Sequence, residues 1–139
     1  MVDRDLVLAK VEILERCPAR IESARNRSAA GLDALDVQDI TVVNLQRAIQ
    51  AMIGLAAHVV AREGLGVPDS LAASFQLLEQ ASILDADLSL RMRRMTGFRN
   101  IVVHEYRRLD PAILEAIVRE RLGDLRAFAR LILVRFGIE

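Results

Sequence analysis

The residues best suited to chemistry lie in one short stretch, residues 97–106, with the order Gly-Phe-Arg-Asn-Ile-Val-Val-His-Glu-Tyr. At about 100° per residue, the side chains of Arg99 and Tyr106 nearly coincide on a helical wheel. Asn100 and His104 follow on the same side of the helix. This side of the predicted helix therefore presents four groups that can bind or protonate a phosphate ester.

The other side of the same stretch is apolar. Phe98, Ile101 and Val102 have the i, i+3, i+4 spacing of residues that face a protein core. We therefore expect the apolar side to anchor the helix and the polar side to point away from the chain's own core.

These residue types fit the cleavage of RNA without a metal ion. A base must take the proton of the 2′-hydroxyl, and an acid must protonate the leaving 5′-oxygen; His104 suits either step because an ordinary histidine pKa lies near 6.5. Arg99 is permanently charged and can stabilise the extra negative charge between them. Asn100 has a supporting role beside His104. Because one chain carries one such histidine, we expect a homodimer that combines two copies, with no metal and no cofactor.

The order Arg-x-x-x-x-His-x-Tyr, preceded by Gly-Phe and with Asn after the Arg, resembles the HEPN superfamily and, within it, the HepT-like toxins. The likeness extends to residues 45–49 (Leu-Gln-Arg-Ala-Ile), to Pro68 and to Asp110-Pro111. The resemblance implies a helical bundle and a ribonuclease whose motif gathers at a dimer interface. It also implies an antitoxin of the minimal nucleotidyltransferase (MNT) type that attaches AMP to Tyr106.

Other interpretations of these residues remain open. Arg99 can form a surface or interface ion pair, His104 a structural hydrogen bond, and Tyr106 can pack its ring. The chain can also be a non-catalytic helical partner, or a substrate-binding subunit, of a nucleotidyltransferase. A third interpretation is a generic helical dimerisation domain.

Composition predicts an all-α fold. The 139 residues suffice for one domain, residues 1–139, and 53% are hydrophobic although only 4% are aromatic. Three Pro and seven Gly favour long helices. We therefore expect an up-and-down bundle of about five helices around an aliphatic core.

Apolar periodicity and capping residues place these helices. The first two are predicted from Asp5 to about residue 30 and from Asp36 or Asp39 to Gly64. A short third helix follows Pro68 behind a cap at Asp69 or Ser70. The fourth runs from Asp85 or Asp87 through the motif, and the last runs from Ala112 to Phe136 behind an N-cap at Asp110. Pro18 predicts a kink or break in the first helix. Gly97 predicts a bend or a close backbone approach beside the motif.

Positive charge is concentrated near the motif although the formal net charge is zero. Six arginines stand between residues 91 and 108, at 91, 93, 94, 99, 107 and 108, against the single acid Glu105. Arg91, Arg94, Arg107 and Arg108 are weak candidates for RNA binding. A solvated basic face is the alternative, because Arg outnumbers Lys throughout the chain.

The remaining features favour a cytoplasmic protein without membrane contact. The single cysteine, Cys17, excludes an internal disulfide and is expected to be a small core residue. The start of the chain lacks the order of a signal peptide, and the longest uncharged apolar run, residues 51–61, is too short to cross a bilayer. His58 lies in that run; we expect a hydrogen-bonded core or interface residue, with catalysis as a reserve role.

Overall fold

The computed structural model of the chain describes residues 1–27, 34–99, 101 and 110–139. Every regular element in these residues is an α-helix, so the predicted all-α class is confirmed. The helices are α1 (Arg4–Arg27), α2 (Ala34–Arg62), α3 (Ala73–Gln80), α4 (Ala86–Gly97), α5 (Pro111–Glu120) and α6 (Leu122–Arg135).

Helix α2 is the centre of the bundle. It packs against α1, α3, α4 and α6, and its apolar residues follow the helical period over the whole length of the element. The fully buried ones among them are Leu45, Ala48, Ile49, Met52, Leu55, Ala56 and Val59. This confirms the predicted stripe and explains why the longest helix of the described chain is also its most apolar one.

Contacts between helix ends fix the direction of the first and last helices. The backbone N–H of Asp3, just before α1, donates to Nε2 of His58 near the end of α2, at 2.9 Å. Arg4 in turn donates to the carbonyl of Glu139 beyond the end of α6, at 3.1 Å. Helix α1 therefore runs antiparallel to both α2 and α6, as expected for an up-and-down bundle.

Capping chemistry explains several helix boundaries. Asp85 accepts from the N–H of Leu88 at 2.7 Å and Asp110 accepts from that of Ala112 at 2.9 Å, so both predicted N-caps are confirmed. Gly64 adopts φ +62°, and the N–H of Leu65 reaches back to the carbonyl of Val60 at 3.0 Å. Together these features form the Schellman motif that ends α2, where the sequence predicts its end.

Several predicted helix boundaries are wrong. Helix α3 begins at Ala73 with Ala72 as its N-cap, so neither Asp69 nor Ser70 is the N-cap. The break predicted at Pro18 does not occur, because the neighbouring Leu14, Cys17 and Ile21 are fully buried and their packing outweighs the lost backbone hydrogen bond; a kink at Pro18 stays a prediction. Helix α2 already includes Ala34, so neither Asp36 nor Asp39 caps it; Asp36 instead lies in its first turn. The predicted last helix is divided at Arg121, whose φ of −117° departs from helical geometry.

The core is aliphatic apart from one aromatic contact. Phe75 of α3 and Phe128 of α6 meet edge to face with ring centroids 5.6 Å apart. Cys17 is completely buried, which confirms its expected role as a small core residue.

One described helix, α2, is long and apolar enough to cross a membrane by length and composition alone. In the bundle, 61% of its most apolar window is buried against other helices. The core position of α2 accounts for this composition.

Candidate active site

The motif begins where α4 ends. Helix α4 stops at Gly97, Phe98 caps it, and the backbone is helical again at Arg99 and Ile101. Phe98 and Ile101 are half-buried against the core, as the apolar side of the predicted helix requires. The predicted interruption at Gly97 is therefore confirmed. A Cβ added at Gly97 would meet no atom of the described residues within 4 Å, so no close approach of the described backbone explains this glycine.

Arg99 is held by a residue of the central helix. Its Nε donates to Oε1 of Gln50 on α2 at 3.0 Å, and its side chain is half-exposed. A guanidinium has five N–H donors, of which this bond uses one. The two terminal nitrogens, which are the ones that pair with two oxygens of a phosphate, form no hydrogen bond with any described residue.

The other motif residues lie outside the described residues. These are Asn100, His104, Tyr106, Arg107 and Arg108. Their predicted roles in proton transfer, support, modification and RNA binding therefore stay predictions.

The arginines on α4 differ in how far they are already paired. Arg91 bonds Asp124 of α6 at 3.0 Å and Asp87 at 3.1 Å, and the hydrogen bond to Asp124 raises its pKa above the ordinary value. Arg93 lies 3.8 Å from Glu79 of α3. Arg94 is exposed and has no ion pair with any described residue. Of the two weak RNA-binding candidates on α4, Arg94 thus has the freer charge.

A cleft of about 130 Å³ opens on the same side of α4. Its described lining residues are Arg91, Arg94, Met95, Phe98, Ile117 and Arg121. The carboxylate of Asp124 stands behind it, only 6% exposed, with Oδ2 at 3.8 Å from Nη1 of Arg121 and Oδ1 bonded to Arg91. Asp124 therefore gathers two guanidinium groups at this cleft.

His58 has a structural partner. Its Nε2 accepts the N–H of Asp3, and burial, followed by the positive charge of Arg62, lowers its pKa below the ordinary 6.5. Both effects favour the neutral imidazole that can accept this bond. The expected hydrogen bond of this histidine is confirmed, and the reserve catalytic role stays a prediction.

The sequence analysis did not predict three residues of this region: Gln50, Arg121 and Asp124. Gln50 lies on the polar side of α2, where nothing distinguishes it from other exposed residues. Arg121 interrupts the last predicted helix without any Gly or Pro at its own position. Asp124 does leave a signal, because a carboxylate stands between the core residues Leu122 and Leu125. Within the described ranges, no cluster of three or more His, Cys, Asp or Glu side chains is arranged to hold a metal ion.

The fold and the arginine-bearing motif define the class, a helical HEPN-type protein. The family model described as Ribonuclease HepT-like matches residues 14–132, and the chain is 33% identical over 124 residues to the mRNA nuclease HepT of Shewanella oneidensis. That match covers 89% of this chain and 93% of the relative. The chain therefore belongs to the HepT-like ribonuclease family.

Solved structures agree with this assignment. A tri-AMPylated HEPN toxin of Shewanella oneidensis, in complex with MNT antitoxin, superposes with a TM-score of 0.85 at 32% identity, over 95% of this chain and 99% of that one. YutE of Bacillus subtilis, a cytosolic protein of unknown function, shares the fold alone, with a TM-score of 0.83 at 14% identity over 98% of this chain and 92% of that one. At the level of the family, these relatives confirm the predicted fold, the endoribonuclease class and the toxin–antitoxin function.

Proposed function

We propose that this chain is the toxin of a toxin–antitoxin pair and cuts RNA without a metal ion, as a homodimer. Arg99 and His104 are the catalytic residues, and Asn100 supports them. An MNT-type nucleotidyltransferase antitoxin neutralises the dimer by attaching AMP to Tyr106. The chain acts in the cytoplasm as one domain spanning residues 1–139.

The observation that supports this proposal most directly is the hydrogen bond between Arg99 and Gln50. It anchors the guanidinium through Nε at 3.0 Å, and no described residue bonds either terminal nitrogen, so both can bind a phosphate. Lysine, a point charge with no Nε in this position, could not satisfy both requirements. An arginine held in this way is already oriented before the substrate arrives, which is where electrostatic catalysis gains its strength.

The reaction assigns one step to each group. A neutral His104 takes the proton of the 2′-hydroxyl, the 2′-oxygen attacks the phosphorus, and the bond to the 5′-oxygen breaks. The protonated His104 of the second copy gives its proton to the leaving 5′-oxygen. Arg99 stabilises the pentacoordinate phosphorus between these steps. The products are a 2′,3′-cyclic phosphate and a 5′-hydroxyl.

Neutralisation uses the hydroxyl of Tyr106. Its oxygen attacks the α-phosphorus of ATP in the antitoxin's active site, AMP is transferred and pyrophosphate leaves. On a helix Tyr106 shares the side of Arg99, so the attached AMP places a phosphate and a bulky nucleoside where RNA would bind. Charge and steric exclusion then block the site together.

Cleavage of single-stranded RNA by the purified chain in the presence of EDTA tests the nuclease. Replacing Arg99 or His104 with Ala should each lower the rate by about 10²–10³-fold, since each removes a group that acts in the transition state. Arg20→Ala on α1 is the matched control and should keep full activity. Cleavage that survives His104→Ala would exclude this histidine from the mechanism.

An experiment with the antitoxin distinguishes a toxin from a non-catalytic partner. Incubation with the cognate nucleotidyltransferase and ATP should add AMP to Tyr106, detected by peptide mapping, and should abolish RNA cleavage. The Tyr106→Phe variant should still cleave RNA and should not be modified with AMP. A chain that binds the nucleotidyltransferase, causes no growth arrest when expressed alone and cleaves no RNA would instead be its non-catalytic partner.

A further inference from the structure

The cleft beside α4, here called the arginine cleft, combines two kinds of surface. Arg91, Arg94, Met95 and Phe98 come from one side of α4, at spacings of three and four residues, and Ile117 and Arg121 come from the end of α5. Met95 and Ile117 are buried and Phe98 is half-buried, so the floor is apolar. The rim carries three guanidinium groups.

The rim keeps an excess of positive charge. Arg91 is neutralised by Asp87 and Asp124, at 3.1 and 3.0 Å. Arg121 is drawn toward Oδ2 of Asp124, but the 3.8 Å separation is too long for a hydrogen bond, so no described residue occupies its side-chain donors. Oδ2 itself is buried with no hydrogen-bond partner among the described residues. Arg94 adds a charge that no described carboxylate balances.

We propose that the arginine cleft is a nucleotide subsite for single-stranded RNA, a conclusion that rests on the proposed nuclease function. One base lies against the apolar floor and contacts the ring of Phe98. The phosphate beside this base is bound by Arg94 and Arg121. Asp124 is a positioning residue, because it holds Arg91 and draws Arg121 at the rim.

The position of the cleft supports this occupant. Phe98 directly precedes Arg99, so the cleft lies next along the chain to the arginine proposed to hold the scissile phosphate. An apolar floor with a cationic rim is also how proteins bind single strands: bases stack on aromatic side chains while arginines follow the backbone. Duplex RNA, whose bases are already stacked, offers nothing to the floor.

The cleft is a poorer match for a protein partner. A stable protein interface buries roughly 800 Å² on each side, whereas this floor is formed by three apolar side chains. Its rim would require an acidic partner in one small concavity. A single nucleotide supplies one flat apolar group and one negative charge, which is the combination that the cleft offers.

The test measures binding separately from cleavage. The probe is a short fluorescent single-stranded 2′-O-methyl oligoribonucleotide, which cannot be cut because its 2′-oxygen carries no proton to lose. We expect the double variant Arg94→Gln/Arg121→Gln to raise the Kd at least about tenfold. The slope of log Kd against log salt concentration should fall by the amount expected for about two lost phosphate contacts. The matched control is Arg20→Gln/Arg130→Gln, which removes the same charge from exposed positions on α1 and α6.

A second variant tests the base contact. Phe98→Leu keeps an apolar side chain against the core, and circular dichroism checks that the fold is unchanged. It should raise the Kd for the normal probe about three- to tenfold and leave the Kd for an abasic probe of the same length unchanged, because only stacking is lost. With natural RNA, both variants should act mainly on KM.

The outcomes separate the subsite from the nuclease. Equal Kd values for the test and control double variants, or an equal effect of Phe98→Leu on both probes, would overturn the subsite. Loss of the antitoxin complex with unchanged RNA binding would overturn it in favour of a protein-docking role. A wild-type chain that binds the probe through the cleft but cuts no RNA would refute the proposed nuclease and leave the subsite in place.

Discussion

Nε of Arg99 and Oε1 of Gln50 are 3.0 Å apart and join the motif to the central helix. The two residues are separated by 49 positions in sequence, so the contact depends on the packing of the bundle. Arg99 is thereby oriented by α2, whose apolar face forms much of the core, and is not held by its own helix alone. This link between a catalytic candidate and the core has a direct kinetic consequence.

Gln50→Ala should lower kcat for RNA cleavage about fivefold, since a hydrogen bond that contributes about 1 kcal/mol to orienting Arg99 is lost. Gln50→Glu keeps an acceptor for Nε of Arg99, so its kcat should fall less than that of Gln50→Ala. Steady-state kinetics and thermal unfolding of both variants check this, with Gln76→Ala, an exposed glutamine on α3, as the matched control. A kcat for Gln50→Ala equal to that of the control would show that this contact does not orient the arginine.

His58 should make the stability of the fold depend on pH. Burial lowers its pKa in the folded chain below 6.5, so the unfolded chain binds more protons in the interval below that value. The free energy of unfolding should therefore be fully present above about pH 6.5 and fall as the pH decreases toward the folded-state pKa.

Urea unfolding between about pH 5 and pH 8 measures this effect. His58→Gln places an amide oxygen near the position of Nε2, where it can accept the N–H of Asp3, but does not titrate. The difference in stability between wild type and His58→Gln should shrink or reverse as the pH falls. Parallel pH profiles for the two proteins would contradict the role assigned to His58.

The Arg25–Glu115 ion pair should contribute modestly to stability. Nη1 of Arg25 donates to Oε2 of Glu115 at 2.7 Å, and Nη2 donates to Oε1, which joins α1 to α5. Both side chains are more than a third exposed, so a double-mutant cycle should give a coupling of about 0.5–1 kcal/mol. The Arg16–Glu12 pair within α1 is the control, with about 0.3–0.5 kcal/mol.

The coupling energy between Arg25 and Glu115 should decrease in acid. The hydrogen bond from Arg25, more than its charge at a distance, lowers the pKa of Glu115 below its ordinary value of 4.5. The contribution of this ion pair to the free energy of unfolding should thus be complete above about pH 4.5. It should disappear as the pH falls through the lowered pKa of Glu115. A coupling energy that stays constant in acid would rule out this origin.

The thiol of Cys17 should be inert in the folded chain. It is completely buried on α1, so a thiol reagent can reach it only when the bundle opens. The reaction should be slow in buffer and immediate in denaturant, and Cys17→Ala should leave RNA cleavage intact. Rapid labelling without denaturant would show that α1 is not packed as described.

Local patterns predicted the fold better than they predicted the site. The apolar period of α2 and the carboxylates of Asp85 and Asp110 act within a few residues, and each appears where it was expected. Pro18 failed as a helix breaker because burial of the surrounding side chains, which depends on α2, outweighs the local cost. Arg99 could be proposed as a catalytic candidate from the spacing of its neighbours in the sequence. Its partner Gln50 could not, because a contact between exposed polar residues on two helices leaves no periodic trace.

The hydrogen bond from Arg4 to the carbonyl of Glu139 implies that the order of the helices along the chain can be changed by circular permutation. Because Arg4 and Glu139 are in contact, a short flexible bridge of Gly and Ser could join residues 1 and 139 without displacing α1 or α6. New ends could then be opened in the exposed turn after Gly64, where Val67 is 95% exposed. Such a circular permutant would keep every helix pair of the bundle while changing the order in which a ribosome produces them.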